Sequence, residues 1–300
     1  MVAGLSIVPR RTPAWARRAA ESLFAVLFPA DCQICGAPLV RISRLPVCAD
    51  CLDQILPVRG RLCSVCGERL LSPHFNSDSA GQSLCPVCSR IEQNFAKAVA
   101  YGSYESGLRE LIHLLKYGGV RPASGVLGRM LAGAISDLHP SFGATPVMVV
   151  AVPLHRSKQR QRGFNHAELI ARAALKLVTE GGAVRNQMIL CDDVLVRRRE
   201  TQSQTGLTSH QRRANMRGAF AVKRAQEVNG REVLLVDDVY TTGATVSECA
   251  RVLRRAGASK VWVATVARTL KMASQYGERK PAMGVSSADM AATPLAKAAS

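Results

Sequence analysis

Val233-Leu234-Leu235-Val236-Asp237-Asp238-Val239-Tyr240-Thr241-Thr242-Gly243-Ala244-Thr245 runs an apolar strand straight into two carboxylates, a hydroxyl-rich loop and the start of a helix. A strand of this kind is buried in a parallel sheet. It delivers Asp237 and Asp238 to the sheet's carboxyl edge, where open α/β proteins bind ligands. Thr241, Thr242, Gly243, Ala244 and Thr245 then offer backbone N–H groups and hydroxyls at a helix start, a ready anion site. Carboxylates beside a phosphate cradle suit a ligand with both sugar hydroxyls and a phosphate, so the motif predicts a phosphosugar site. The following helix is expected from about Thr245 to Ala256, with Val246, Cys249, Ala250 and Leu253 inward and Gly257 as its C′ residue.

The segments around this motif alternate in the same way. Val147 to Val152 is a continuous apolar run between Pro146 and Pro153, a second buried strand. Leu108, Leu111, Ile112 and Leu115 recur at helical spacing; Lys116-Tyr117 closes that helix and Gly118-Gly119 ends it. Leu154 to Asn165 reads as a basic loop carrying Arg156, Lys158, Arg160 and Arg162, with His155 as a loop hydrogen-bonder. It leads into a helix whose Asn165 and Glu168 have capping-box spacing and whose buried face is Leu169, Ile170, Ala173 and Leu177. Val194 to Val196 forms a short strand. Arg197 to Gln204 then lacks apolar periodicity and concentrates positive charge, so a mobile basic loop is expected there. Phe220 to Val222 and the Asn229-Gly230 turn lead back to Val233, and Val261 to Val266 is the next strand. Strand–helix–strand units with short links predict right-handed crossovers and an α/β fold with a doubly wound, mostly parallel sheet.

A different chemistry precedes this region. Eight of the ten cysteines form four Cys-x-x-Cys pairs: Cys32/Cys35, Cys48/Cys51, Cys63/Cys66 and Cys85/Cys88. Each pair places two thiolates on one tetrahedral ion, so four pairs predict two structural Cys₄ zinc sites. Sequential pairing is the simplest arrangement, and the spacing also permits a cross-braced one. Gly36 and Gly67 are expected to free backbone N–H groups to turn toward the sulfurs. A thioredoxin-like redox motif needs one such pair at a helix start, not four in series. His74 falls in a Ser-, Asn-, Asp- and Gly-rich stretch from Ser72 to Ser83 that reads as a mobile loop. Cys191 and Cys249 stand alone, Cys249 as a small core residue.

Composition narrows the class further. Three hundred residues allow about two domains. Forty Lys+Arg against 22 Asp+Glu give +18, a balance that favours polyanionic partners: nucleic acid, nucleotide or pyrophosphate. Aromatics are only 5%, too few for an obvious base-stacking platform. No apolar run approaches the roughly 20 residues that span a bilayer. Arg10, Arg11, Arg17 and Arg18 precede Leu23 to Phe28, which resembles a leader, yet Pro29, Asp31 and Cys32 follow at once. A short amphipathic helix is the expected reading. The cysteines then belong to metal rather than to disulfides, and the location is expected to be cytoplasmic. The implied organisation is a basic segment over 1–30, a small zinc-ribbon domain over 31–90, the α/β domain over 91–270 and a disordered tail over 271–300.

Leu234 to Thr245 resembles the phosphoribosyl-diphosphate signature of type I phosphoribosyltransferases, with Tyr240 where that signature usually has an aliphatic residue. The four Cys-x-x-Cys pairs, Lys116-Tyr117, Val152-Pro153-Leu154-His155 and Arg162-Gly163-Phe164-Asn165 complete a set similar to the ComF family. The resemblance implies that Asp237 and Asp238 contact the ribose 2- and 3-hydroxyls and that Thr241 through Thr245 bind the 5-phosphate. It further implies that Pro153 to Arg162 holds pyrophosphate, with Arg156, Lys158 and Arg162 neutralising it. Arg197 to Gln204 would be the hood over the reacting centre, and Mg²⁺ would accompany the diphosphate. The family link is to DNA uptake in natural transformation, with a helicase-like ATPase and DNA-processing proteins as partners. The competing reading is a nucleic-acid-binding accessory protein that places zinc ribbons and basic loops on single-stranded DNA and keeps the pocket as a sensor or relic. A Walker ATPase is set aside, because no Gly-x-x-x-x-Gly-Lys-Ser/Thr occurs in the chain.

Overall fold

The computed structural model describes residues 30–270 apart from 40–42, 71–75, 78–80, 82, 181–187 and 202–207. The amphipathic helix expected before residue 30, His74 and the tail from 271 onward lie outside the described residues. The N-terminal block contributes α1 (Ala49–Asp53) and the two-residue strands β1 (Asn76–Ser77) and β2 (Ser83–Leu84). There follow β3 (Lys97–Ser103), α2 (Ser106–Lys116), α3 (Ala123–Ser136), β4 (Val147–Ala151), α4 (Arg156–Arg162), α5 (His166–Glu180) and β5 (Met188–Leu190). The remainder is β6 (Leu195–Arg197), α6 (Ser209–Met216), β7 (Phe220–Val222), α7 (Ala225–Val228), β8 (Glu232–Tyr240), α8 (Ala244–Arg255) and β9 (Lys260–Arg268).

Five strands pair in the order β3-β9-β8-β4-β5, all parallel. Alternation along β8 explains the two-sided burial. Leu234 and Val236 face a core with α2, α3 and α5, whereas Val233 and Leu235 face one with α8 and the β6–β7 ribbon. This is the doubly wound sheet that the sequence pattern predicts. α3 and α5 approach closely where Gly128 leaves room: a Cβ there would stand 2.9 Å from the Ala174 amide nitrogen. That contact sets the buried face of α5, which is Ala167, Ile170, Ala171 and Ala174. Leu177, expected inward, is exposed because it lies off this small-residue stripe.

Four further expectations shift. β8 continues two residues past the acidic pair, since Val239 and Tyr240 stay paired with Ala267 and Arg268 of β9. The basic loop after β4 contains a helix, α4, capped at its start by the His155 side chain and at its end by Gly163. Asn165 accepts from the Ala167 amide at 3.1 Å, but Glu168 pairs with Arg172 rather than closing a capping box. Within the Ser72–Ser83 stretch, β1 and β2 form an antiparallel pair.

The cysteines assemble sequentially: Cys32, Cys35, Cys48 and Cys51 in one cluster, Cys63, Cys66, Cys85 and Cys88 in the other. Sulfur–sulfur separations of 3.9 Å (Cys32–Cys51), 3.7 Å (Cys35–Cys48) and 3.6 Å (Cys66–Cys85) fit zinc. Tetrahedral coordination with Zn–S near 2.3 Å requires edges of about 3.8 Å. The amides turned toward sulfur are those of Ile34, Cys48, Cys51 and Cys88. Gly36 and Gly67 instead donate to the Cys32 and Cys63 carbonyls. The first cluster packs with Leu45, Val47 and Ile55 against α2, and the second packs with Leu70 and Phe95 into the α8 side. Both also bond the free edge of the sheet, because Val58 N donates to Tyr101 O and Ala98 N to Val65 O, each at 2.7 Å. The block therefore covers the β3 edge, which would otherwise be open to pairing.

Zinc analysis tests the pairing. Purified chain is expected to carry two ions, and Cys32→Ser combined with Cys51→Ser is expected to lose one and keep the other. A cross-braced arrangement would lose both.

Candidate functional site

The strand order reverses between β4 and β8. From β4 the chain moves outward to β5, and from β8 it moves the other way to β9. A crevice opens at the carboxyl ends of two strands that diverge like this. β4 stops opposite Val236, so Asp237 to Tyr240 are paired on the β9 side only and face the crevice on the other. Into it run the loop after β4, with α4, and the Thr241–Gly243 loop after β8.

Asp238 is buried, at 4% exposure. One carboxylate oxygen forms an ion pair with Lys116 at the end of α2, and the other lies 3.5 Å from His166 Nε2 at the start of α5. His166 Nδ1 in turn meets the Arg162 guanidinium at 3.1 Å, and that guanidinium lies 5.0 Å over the Tyr117 ring. The two acids are also tied locally: Asp237 accepts from the Asp238 amide and Asp238 from the Val239 amide, both at 2.9 Å. Their electrostatics diverge. Burial opposes ionisation at both, but at Asp238 the Lys116 ammonium and then His166 outweigh it and hold the carboxyl well below its ordinary range. At Asp237 burial and the adjacent Asp238 charge act together and push the carboxyl well above that range. Lys116 is burdened by burial but raised on balance by Asp238. The two neighbouring acids are thus shifted in opposite directions, and Asp238 alone is anchored by a cation.

Beyond the pair, the chain turns at Gly243 (φ +75), the N-cap of α8, whose side-chain-free cap leaves the helix amides uncovered. A Cβ at Gly243 would collide with the Tyr240 hydroxyl, so glycine is required twice over: by backbone angle and by space. Thr242 Oγ1 is buried and has no hydrogen-bond partner among the described residues. An orphaned hydroxyl beside uncovered helix amides is a set of donors with the chemistry to hold an anion.

On the opposite wall, His155 Nδ1 lies 2.8 Å from Ser157 Oγ, which donates to Glu200 at 2.9 Å. Glu200 belongs to the expected hood, of which 202–204 lie outside the described residues. Its described part is tied down rather than loose: Arg197 bonds Thr201 and stacks 5.5 Å over Phe220. Of the basic residues singled out on α4, Arg162 joins the acidic pair through His166. Arg156 is exposed and Lys158 half-buried on the same helix.

Residues 126–295 match the phosphoribosyl transferase domain family and residues 23–91 the double zinc ribbon domain. The chain is 30% identical over 243 residues to the DNA utilization protein YhgH of Salmonella typhimurium, covering 81% of this chain and 98% of that one. It is 28% identical over 228 residues to Competence protein F of Haemophilus influenzae (74% and 96% covered) and 24% over 217 to Competence protein ComFC of Bacillus subtilis (70% and 79%). The chain belongs to the ComF family. Two residues of this ComF-family site escaped sequence reasoning. Lys116 was legible only as part of a motif at a helix end, and His166 only as the residue after an N-cap. Neither position signals a partner that lies some 70 to 120 residues downstream, on β8.

The ion pair predicts opposite behaviour for the two acids. Lys116→Met strands a buried carboxylate and is expected to cost about 3–5 kcal/mol in denaturant unfolding at pH 7. The pair's contribution is present above about pH 4, the unfolded carboxyl value, and is lost as acid takes pH down through the lower folded value of Asp238. Asp237 has the reverse sign, because a raised carboxyl loses stability as pH climbs from about 4 toward its folded value. Asp237→Asn is therefore expected to raise the unfolding midpoint at pH 7 and to match wild type below about pH 4.

Proposed function

We propose that this ComF-family chain binds phosphoribosyl diphosphate in the crevice between β4 and β8. The orphaned Thr242 hydroxyl at the uncapped start of α8, directly after the acidic pair, carries the reading. In it Asp237 and Asp238 take the ribose hydroxyls. Thr241, Thr242, Gly243, Ala244 and Thr245 take the 5-phosphate. Arg156, Lys158 and Arg162 on α4 take the diphosphate. Asp238, paired with Lys116, offers the sugar hydroxyls an acceptor.

His166, Asp237 and Asp238 present ligand atoms within 4.8 Å of one another, but Lys116 already neutralises Asp238, and burial with the adjacent Asp238 charge opposes ionisation of Asp237. That donor set is a poor cage for a hard cation, so Mg²⁺ is assigned to the diphosphate oxygens and water. If ribosyl transfer occurs, loss of pyrophosphate leaves oxocarbenium-like charge at the anomeric carbon. The chain's part is then positioning and electrostatics, with no protein nucleophile.

In this reading 31–90 is the zinc-ribbon unit and 91–270 the phosphoribosyltransferase-like unit, flanked by 1–30 and 271–300. Relatives named for DNA utilization and competence support a role in handling DNA; the partners we propose are single-stranded DNA, a helicase-like ATPase and DNA-processing proteins. Among the described residues no helix is long and apolar enough to cross a membrane. One surface feature favours direct DNA contact by the accessory reading. Tyr117 is 71% exposed under Arg162, and Arg121 lies 5.0 Å over Phe164 beside it, a cationic aromatic ledge suited to stacked bases.

Isothermal titration with phosphoribosyl diphosphate and Mg²⁺ tests the pocket, which the sensor form of the accessory reading shares. Saturable binding is expected in wild type and a loss of at least tenfold in Asp237→Asn/Asp238→Asn; binding indifferent to that change would refute the pocket. Single-stranded DNA affinity that falls steeply with salt and drops further in Tyr117→Ala would support the accessory role.

A further inference from the structure

Arg268, the last residue of β9, is 3% exposed and joins three parts of the molecule. Its guanidinium donates to the Cys66 carbonyl and, at 2.9 Å, to Glu68, both within the second cysteine cluster's loop. The same guanidinium lies 4.7 Å over the ring of Tyr240. Tyr240 is its cross-strand partner in β8, is 6% exposed, and meets Phe95 edge-on with ring centroids 6.4 Å apart. The far end of the Tyr240 ring, its hydroxyl, sits directly beneath Gly243, where it fills the space a Cβ would need. On the ribbon side the fit is equally close: a Cβ at Gly67 would stand 3.0 Å from the Ala98 carbonyl.

An unbroken line of buried contacts thus runs from a carbonyl between zinc ligands, through one guanidinium and one phenol ring, to the floor of the phosphate loop. Among the described residues the first cysteine cluster packs on the opposite face, with α2. Tyr240 is also the position where an aliphatic residue is usual in the signature this loop resembles. An aliphatic side chain offers no π-face to Arg268 and no hydroxyl to Gly243.

We propose that Tyr240 and Arg268 are positioning residues through which the second zinc site sets the conformation of the phosphate-binding loop, so that metal occupancy there and ligand binding at Thr241–Thr245 are linked. The proposal rests on the phosphoribosyl reading of that loop. Linkage is reciprocal: if the metal-held ribbon favours the binding-competent loop, bound ligand must raise the affinity for that metal by the same factor. A ribbon serving only as a brace would show no such reciprocity once the protein is folded.

The test follows zinc release from the full chain into a colorimetric chelator, with and without ribose 5-phosphate, which occupies the phosphate loop but lacks the metal-binding diphosphate. Cys32→Ser/Cys51→Ser isolates release from the second site, and Cys63→Ser/Cys85→Ser from the first. At equilibrium with the chelator, ligand is expected to tighten second-site zinc by about fivefold or more, the lower range of allosteric coupling, and to leave first-site release unchanged. Tyr240→Leu is expected to keep both ions, fold, bind more weakly and lose the protection. Tyr240→Phe, which preserves the ring packing, carries the test if the leucine variant is unstable, with protection reduced at least twofold. Ligand that binds, by its titration heat, without altering second-site release overturns the linkage alone, as does full protection in Tyr240→Phe and Tyr240→Leu. No heat at all removes the phosphoribosyl reading and this proposal with it.

Discussion

Lys116 and Asp238 meet where little water reaches them, with side-chain exposures of 16% and 6%. Placing two charges there is expensive, and their attraction repays it only when both are held in register by the surrounding structure. α2 holds the lysine through four leucine and isoleucine side chains, Leu108, Leu111, Ile112 and Leu115, buried against the sheet. β8 holds the aspartate through its pairing with β9. The ion pair therefore ties the end of a helix on one face of the sheet to the rim of its central strand. His166 and Arg162 extend the tie to α5 and α4. α2, α4 and α5 are thus all anchored to this one carboxylate on β8.

The Thr241–Gly243 loop is supported from the other direction. Gly243 rests on Tyr240, Tyr240 on Arg268, and Arg268 on the second cysteine cluster. Seen together, the two supports explain why the chain keeps a metal-dependent block beside an α/β domain that has a sizeable core of its own. The ribbons close the open β3 edge by backbone bonds and supply the last buried contacts under the loop. A small cysteine-rich segment can do this because its shape is fixed by metal rather than by core volume.

Much of this was legible in the sequence, and the failures are instructive. The apolar run at Val233, the acids and the Thr-Gly-Ala-Thr loop were readable because strand burial, strand-end carboxylates and glycine at a left-handed turn each leave a local signature. Four Cys-x-x-Cys pairs declared the metal sites, though not their pairing, which depends on chain path. α4 was hidden because seven residues of Arg, Ser, Lys and Gln have no apolar period; its only signs were a capping histidine and a glycine stop. Leu177 was misassigned because helical spacing does not show that a neighbouring helix presses against alanines at Gly128. The end of β8 was misjudged because Tyr240 is held there by Arg268, whose other contacts lie about 200 residues earlier. Lys116 and His166 were missed for the same reason: a buried charge pair between distant segments has no periodicity to reveal it.

The central claim is that the acidic pair and the loop after β8 form one ligand site, not two neighbouring features. A crystal structure of the full chain with phosphoribosyl diphosphate and Mg²⁺ tests it most directly. The account predicts ribose hydroxyls on Asp237 and Asp238 with the 5-phosphate against Thr242 and the first amides of α8. Ligand density confined to the surface of α4, with Lys116, Asp238 and Thr242 untouched, would contradict it.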